Sequence, residues 1–427
     1  MRPVTFISTL KLRASYGQVG NQGIPAFGYV SQYASNGNRR SYPLGLNQDP
    51  VVGFYPSVIG TPDIRWETST MSNIGIDAAF LNNSITLTAD YYVKEIGDML
   101  GFFPVARYTG LPTPPGQSGP AILRNGFSMQ NSGIELALGY NRQFGELGFS
   151  VSANYASLNN KVTQLTGSET GFVSSNISAG DDGGADTRTV VGQPVANFRG
   201  YVADGIFQTQ DEVEASHMKG MTRIGPGDRR YKDLNGDGVL DEKDKTFIGN
   251  GLPKHTFGFN MNVTFKGFDL AVLLNGQAGV KIANQTKYWL NHMRYNNGGG
   301  ISNGSTDLLE SWTPENGSNT FTRNSFSAAP SNRWFSTFNI EDGSFLRVRN
   351  VQLGYTIPEA FSQKVGMSRA RIYIAAQNLF TFTEYSGYDP EVGSRVSFGR
   401  GNALQTGVDF GRYPVSRMYT AGFNLQF

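Results

Sequence analysis

The nine residues Tyr419-Thr420-Ala421-Gly422-Phe423-Asn424-Leu425-Gln426-Phe427 close the chain and alternate without a slip. Tyr419, Ala421, Phe423, Leu425 and Phe427 fall on one side; Thr420, Gly422, Asn424 and Gln426 fall on the other. Successive side chains of a strand point to opposite faces, so this is a strand with one apolar and one polar face. A soluble sheet contains such strands too. What sets this chain apart is that the pattern recurs, with a regular rhythm in the connections between copies.

Nine further segments carry it. They are marked in turn by Leu10, Leu12, Ala14 and Tyr16; by Ile74, Ile76, Ala78 and Phe80; and by Ile85, Leu87, Ala89, Tyr91 and Val93. Ile134, Leu136, Leu138 and Tyr140 mark the fourth, and Phe149, Val151, Ala153 and Tyr155 the fifth. The sixth has Phe257, Phe259, Met261, Val263 and Phe265, and the seventh Phe268, Leu270, Val272 and Leu274. In the eighth the apolar phase flips between Leu346–Val348 and Val351–Leu353–Tyr355, as a β-bulge would cause. Ile372, Ile374 and Ala376 mark the ninth.

Long connections, at about 19–65, 99–129, 161–254, 281–342 and 384–414, alternate with short ones. The short ones are Leu81-Asn82-Asn83, Gly145-Glu146, Lys266-Gly267 and a modest stretch near 357–369. Membrane barrels sort their loops in this way, with short turns on the inner side and long loops outside. A soluble sandwich has no reason to sort loop length by parity. The pattern therefore predicts an all-β chain: about ten antiparallel transmembrane strands, with long extracellular loops and a periplasmic C-terminus.

Composition agrees. The 427 residues include 53 Gly, 12% aromatic and only 16% charged residues, with no cysteine and hence no disulfide or cysteine-ligated metal. Lys+Arg 36 nearly balances Asp+Glu 34, and no basic cluster with interleaved aromatics points to nucleic acid. Mean hydropathy is −0.32, because a polar lumen face cancels an apolar lipid face in any average. No apolar run reaches the length of a membrane helix, and barrel strands need none. Met1 to Phe6 lacks the apolar core of a secretion signal, which an outer-membrane protein requires.

The strongest local motif runs from Asp233 to Asp244. Asp233, Asn235, Asp237, the Val239 carbonyl, Asp241 and Asp244 occupy positions one, three, five, seven, nine and twelve of an EF-hand-type calcium loop, with Gly238 at the sharp turn. The loop departs at position twelve, where Asp244 replaces the longer bidentate Glu. The spacing predicts structural Ca2+ bracing the longest loop; a solvated Asp/Asn/Gly turn is the alternative. No organic cofactor is expected.

Catalysis finds no support. Gly300-Ile301-Ser302-Asn303-Gly304 fits the serine-hydrolase pattern, but no buried strand precedes it and no helical pattern follows. His217, His255 and His292 are far apart and make no ligand spacing. Asp90 and Glu135, on lumen faces, resemble a glycosidase pair, yet a watery lumen is lined by charge in any case. Tyr42, Phe54, Tyr55, Trp289, Tyr295, Trp312 and Trp334 in the long loops suit ligand stacking, small loop cores or interfacial girdles equally.

Further pieces lie in order along almost the whole chain. Leu10-Lys11-Leu12-Arg13-Ala14-Ser15-Tyr16-Gly17-Gln18 is followed by Gly20-Asn21-Gln22, Arg65-Trp66-Glu67 and Asn73 to Asp77. Then come Asn131 to Glu135, Gly200-Tyr201, Asp204 to Gln208, Gly225-Pro226-Gly227-Asp228, the acidic loop and Ile248-Gly249. Phe345-Leu346-Arg347, Asn378-Leu379-Phe380, Tyr388-Asp389-Pro390-Glu391 and Tyr413-Pro414 complete the set. Together they resemble the C-terminal part of a SusC/RagA-type TonB-dependent outer-membrane transporter.

The resemblance implies a parent barrel of roughly 22 strands with a plug in its lumen. It implies import of oligosaccharides, or of peptides in some members, without chemistry on the substrate. A SusD-like surface lipoprotein would cap the loops, TonB would pull on the plug, and the barrel-insertion machinery would read the final aromatic. On this reading residues 1–427 are the C-terminal part of the barrel, a fragment without plug or earlier strands, because ten strands leave two unpaired edges. The rival readings are a soluble calcium-braced glycan-binding module and, without a supported nucleophile, a secreted hydrolase.

Overall fold

The computed structural model describes residues 6–24, 26–35, 41–44, 46, 49–111, 121–166, 172–177, 185–291, 303–325, 328–397 and 400–427. All ten alternating segments are strands of one antiparallel sheet. They are β1 (Ile7–Asn21), β2 (Glu67–Phe80), β3 (Ile85–Pro104), β4 (Ala121–Phe144), β5 (Leu147–Ser157), β6 (His255–Phe265), β7 (Phe268–Ala278), β8 (Phe345–Ile357), β9 (Arg369–Thr383) and β10 (Met418–Gln426). Each pairs with the next in chain order, so the sheet is an up-and-down meander. An eleventh segment, Asn159–Leu165, continues the β4–β5 hairpin, in the same register as far as Val162 and shifted by one residue beyond it. β3 and β4 run further into their loop than the alternation alone indicates, reaching Pro104 and starting at Ala121.

The short connections have the backbone that tight hairpins need. Lys266 and Gly267 both take positive φ, 47° and 85°, which matches the right-handed twist of the flanking strands. The phase flip of the eighth segment is a bulge: Leu273 pairs with Asn350 while Leu274 pairs with Val348, leaving Arg349 unpaired in the ladder. The disturbance passes to β9, where Asn378 is left-handed with φ 50°.

One face of the sheet is apolar from strand to strand. A single cross-strand row runs Leu10, Ala78, Leu87, Leu138, Ala153, Phe259, Leu274, Val348 and Phe380. Much of this face is bare: Leu12 is 79% exposed and Phe423 71%. A water-soluble sheet does not leave so extended an apolar surface open, whereas a lipid-facing wall must. Aromatic side chains gather near the short turns, with Phe6 stacked on Phe80 at 6.3 Å and Phe268 against Tyr355 at 4.6 Å, as in an interfacial girdle. No described helix is long and apolar enough to cross a membrane, which says nothing about crossing by strands.

Most of the protein-type core lies in the long loops. Phe198, Ala283, Phe335 and Val408 form one buried cluster that draws on the loops after β5, β7 and β9. Tyr201, Phe207, Val213, Met218 and Tyr231 form a second, with Trp334 packed on it.

Candidate functional site

The second face of the sheet is polar and is stitched by ion pairs that skip a strand. Arg13 on β1 binds Asp77 on β2 at 2.8 and 3.0 Å and reaches past it to Asp90 on β3 at 2.9 Å. It passes over Gly75, the residue paired with both Arg13 and Asp90, where any Cβ would collide with the Asp90 carboxylate. The device recurs at Gly354, over which Arg371 on β9 reaches Asp269 on β7. Gly75 and Gly354 therefore act as gaps that long charged side chains cross. Asp90 and Glu135 share the polar face, where the alternation places both, and are direct cross-strand partners; Asp90 Oδ2 is bonded to Arg13.

Above this face, on the side of the long connections, the later loops lock together through buried charge. Asp228 is fully buried and accepts five hydrogen bonds: Arg323 Nε and Nη2 at 2.9 and 2.7 Å, Asn332 Nδ2 at 2.7 Å, and the N–H groups of Gly225 and Ala329. Arg347 at the top of β8 binds Asp389 at 2.7 Å, Glu391 at 2.9 Å and the Thr381 hydroxyl. Arg349, the bulged residue, reaches the same Glu391 at 3.0 Å and the Asn378 side chain at 3.3 Å. Burial works to raise the Asp389 pKa, yet the Glu391 N–H, the Arg347 guanidinium and the Val415 N–H outweigh it and hold the carboxyl below the ordinary carboxylate range. Tyr385 donates to the fully enclosed Asp409 at 2.6 Å; burial first, then that carboxylate, push its phenol well above the ordinary value.

Several scattered motif pieces meet in these locks. Gly225-Pro226-Gly227-Asp228 closes on Arg323 and Asn332, Phe345-Leu346-Arg347 closes on Asp389 and Glu391, and Asn378 closes on the bulge. Arg323, Asn332, Glu341 and Asp409 carry no periodic or spacing signal, and sequence reasoning passed over them. Only a buried carboxylate in search of donors reveals them.

The acidic turn is wound by local side-chain-to-backbone hydrogen bonds. Asp233 accepts from Gly236 and Gly238 N–H at 2.7 and 2.8 Å, Asn235 accepts from Asp237 N–H at 3.0 Å, and Asp237 from Val239 N–H at 2.9 Å. The Gly238 N–H holds the Asp233 carboxyl below the ordinary range, and the Val239 N–H does the same for Asp237. Asp241 caps Lys243 N–H at 2.7 Å. Both oxygens of Asp244 accept backbone N–H groups, of Leu234 and Asp241 at 2.8 Å each, so this buried carboxylate braces the turn. The Lys243 ammonium lies 3.6 Å from Asp237 and 3.7 Å from Asp241. Among the described residues no three His, Cys, Asp or Glu side chains converge as a ready metal cluster; the turn offers mixed oxygen donors.

The loop aromatics divide between roles. Trp334 is core, stacked 4.8 Å from Tyr201 and 5.9 Å from Tyr231. Trp312 donates its indole N–H to Gln208 at 2.9 Å, and Trp289 meets Tyr288 edge-on at 5.4 Å. Tyr55 sits beside the exposed Phe54 on a two-stranded ribbon of the first loop. His255 bonds the Tyr155 hydroxyl at 2.7 Å, and His217 lies in the loop after β5, far from it in the chain. His292, Tyr295, residues 300–302 of the serine motif and the Tyr42 side chain lie outside what is described.

A meander wall with one lipid-type face, one ion-bridged polar face and interlocked loops at one end defines a membrane β-barrel wall. Residues 4–379 match the family model described as TonB dependent receptor-like, beta-barrel, and the chain belongs to that family. It is 29% identical over 426 residues to TonB-dependent receptor P3 of Formosa agariphila, covering 99% of this chain and 40% of that protein. It is 26% identical over 445 residues to TonB-dependent receptor SusC of Bacteroides thetaiotaomicron, covering 100% of this chain and 38% of that one. Among solved structures, the RagAB peptide transporter superposes with a TM-score of 0.77 at 24% identity, over 99% of this chain and 41% of that chain. The SusC/RagA likeness is thus borne out, and the chain spans about 40% of the length of the curated relatives it matches.

Proposed function

We propose that this chain serves as barrel wall and outer loops in a TonB-dependent importer of the SusC/RagA type, carrying large nutrients across the outer membrane. The observation that carries the reading is the pairing of an apolar row across nine strands with an ion-bridged polar face behind it. Lipid outside and a watery lumen inside need that division; a soluble module does not. The long loops are extracellular, and the short turns and Phe427 periplasmic. The substrate is an oligosaccharide, with peptides as the alternative class. A SusD-like surface lipoprotein covers the loops, TonB supplies energy through a plug, and the insertion machinery reads β10. The chain's own residues position and line the path without bond-making chemistry.

The test is uptake by cells carrying the whole transporter, offered fluorescein-labelled oligosaccharide and oligopeptide pools with and without a protonophore. Uncoupler-sensitive uptake of either pool is expected. A detergent-free soluble monomer would instead favour the calcium-braced glycan-binding module.

We propose in addition that the acidic turn takes Ca2+ through Asp233, Asn235, Asp237, the Val239 carbonyl and Asp241, with Asp244 as brace and Lys243 displaced. Calcium would supply rigidity there and nothing else. Chelation is expected to speed protease cleavage within 233–244; cleavage unchanged between EGTA and millimolar Ca2+ rules this out.

A further inference from the structure

We infer that the loops following β5, β7 and β9 are one cooperative unit, a platform that opens as a whole or not at all. Separate loops of a barrel ordinarily fluctuate independently, each tied to its own hairpin. Here several buried centres take residues from more than one loop. Asp228, from the loop after β5, has its carboxylate filled by Arg323, Ala329 and Asn332 of the loop after β7, with Gly225 N–H donating from its own loop.

Backbone joins follow the same plan. The N–H of Tyr201 donates to Phe335 O and that of Thr337 to Tyr201 O, both at 3.0 Å, joining the loops after β5 and β7. The segment Lys281–Asn284 pairs in parallel with Val408–Asp409, and the Ala283 N–H donates to Gly407 O at 2.9 Å, adding the loop after β9. Glu341 and Lys287 form an ion pair at 3.2 Å, and the same Glu341 accepts from Ser386 N–H and Oγ, at 2.9 Å each. The apolar cluster of Phe198, Ala283, Phe335 and Val408 sits at the point where the three loops cross.

Losing one centre therefore uncovers unsatisfied polar groups in a neighbouring loop, which is the physical condition for cooperative opening. The first two loops hold each other, Thr61 donating to Leu123 O at 2.6 Å and Asn125 bonding Arg65, and the second meets the start of the loop after β5 through Phe103, Phe127 and Val162.

The claim concerns folding cooperativity and does not depend on the transport reading. Amide hydrogen exchange on the whole transporter in detergent micelles tests it. In the wild type, the N–H groups of Tyr201, Ala283, Arg323 and Thr337 are expected to share one protection factor within about threefold; values spread over more than about a hundredfold overturn the inference. In Arg323→Met, exchange at Ala283 is expected to rise by the same factor as at Thr337. A rise confined to the segments around 225–230 and 320–332 overturns it. If that variant does not assemble, Arg347→Met perturbs the unit from the loop after β9, with the same two outcomes read at Tyr201.

Discussion

Asp228 and Arg347 show how single side chains govern this molecule. Removing one partner of a buried ion pair leaves the other charge uncompensated, at a usual cost of about 3–5 kcal/mol. Arg347 and Asp389 are both almost wholly enclosed, so Arg347→Met should weaken the last long loop by that order. Limited proteolysis within 384–417, compared between variant and wild type at rising urea, measures it. The acidic turn responds to pH instead. Asp233 and Asp237 ionise more readily folded than unfolded, so their contribution is complete above the ordinary carboxylate value near ~4 and fades as pH falls through the lowered folded values. The turn should resist protease at pH 5 and lose that resistance progressively as pH falls below the ordinary carboxylate value of about 4. A cleavage rate unchanged down to about pH 2 would show that these carboxylates do not brace it.

At the scale of elements, alternation fixed each strand and register followed from it, because a one-residue slip would turn every side chain to the wrong face. The bulge at Arg349 illustrates how literally the pattern can be read: a phase change in the apolar positions became one extra residue in the ladder. Deleting Arg349 should therefore remove the bulge and join Leu346 and Val348 to Val351 in one unbroken alternation, and the variant should still appear as folded, heat-modifiable protein in the outer membrane, lacking only the Arg349–Glu391 contact. Leu138→Arg, in the middle of the apolar row, should cost about 2–4 kcal/mol of barrel stability, whereas Ala137→Ser on the polar face should stay within about 0.5 kcal/mol. Urea unfolding in lipid vesicles distinguishes the two. The ends of β3 and β4 were less legible, since beyond the membrane band packing against loop residues replaces strict alternation. Phe103 and Phe127 bury there with Val162 of the next loop.

At the scale of the whole molecule, the wall and its loops are stabilised by different physics. The wall has little protein core of its own and depends on lipid on one side and water or protein on the other. Its two outer strands, β1 and β10, each have one edge without a partner among the described residues. The loops behave like a small globular domain assembled from three insertions. Those two parts should separate experimentally: detergent exchange should alter the wall, and Arg323→Met the loops, with small effects on each other.

The sequence by itself determined the strands, their order, their inward and outward faces and the bulge at Arg349, because strand geometry has period two and a lipid boundary enforces it along the wall. It also placed the turn of Asp233 to Asp244, whose hydrogen bonds are local. Only the tertiary structure decided which loop residues meet. Arg323 and Asp228, or Arg347 and Asp389, are joined across 95 and 42 positions of chain, and no local period connects residues so far apart. What selects them is the cost of a buried charge without donors, a condition that exists only once the loops have closed on one another.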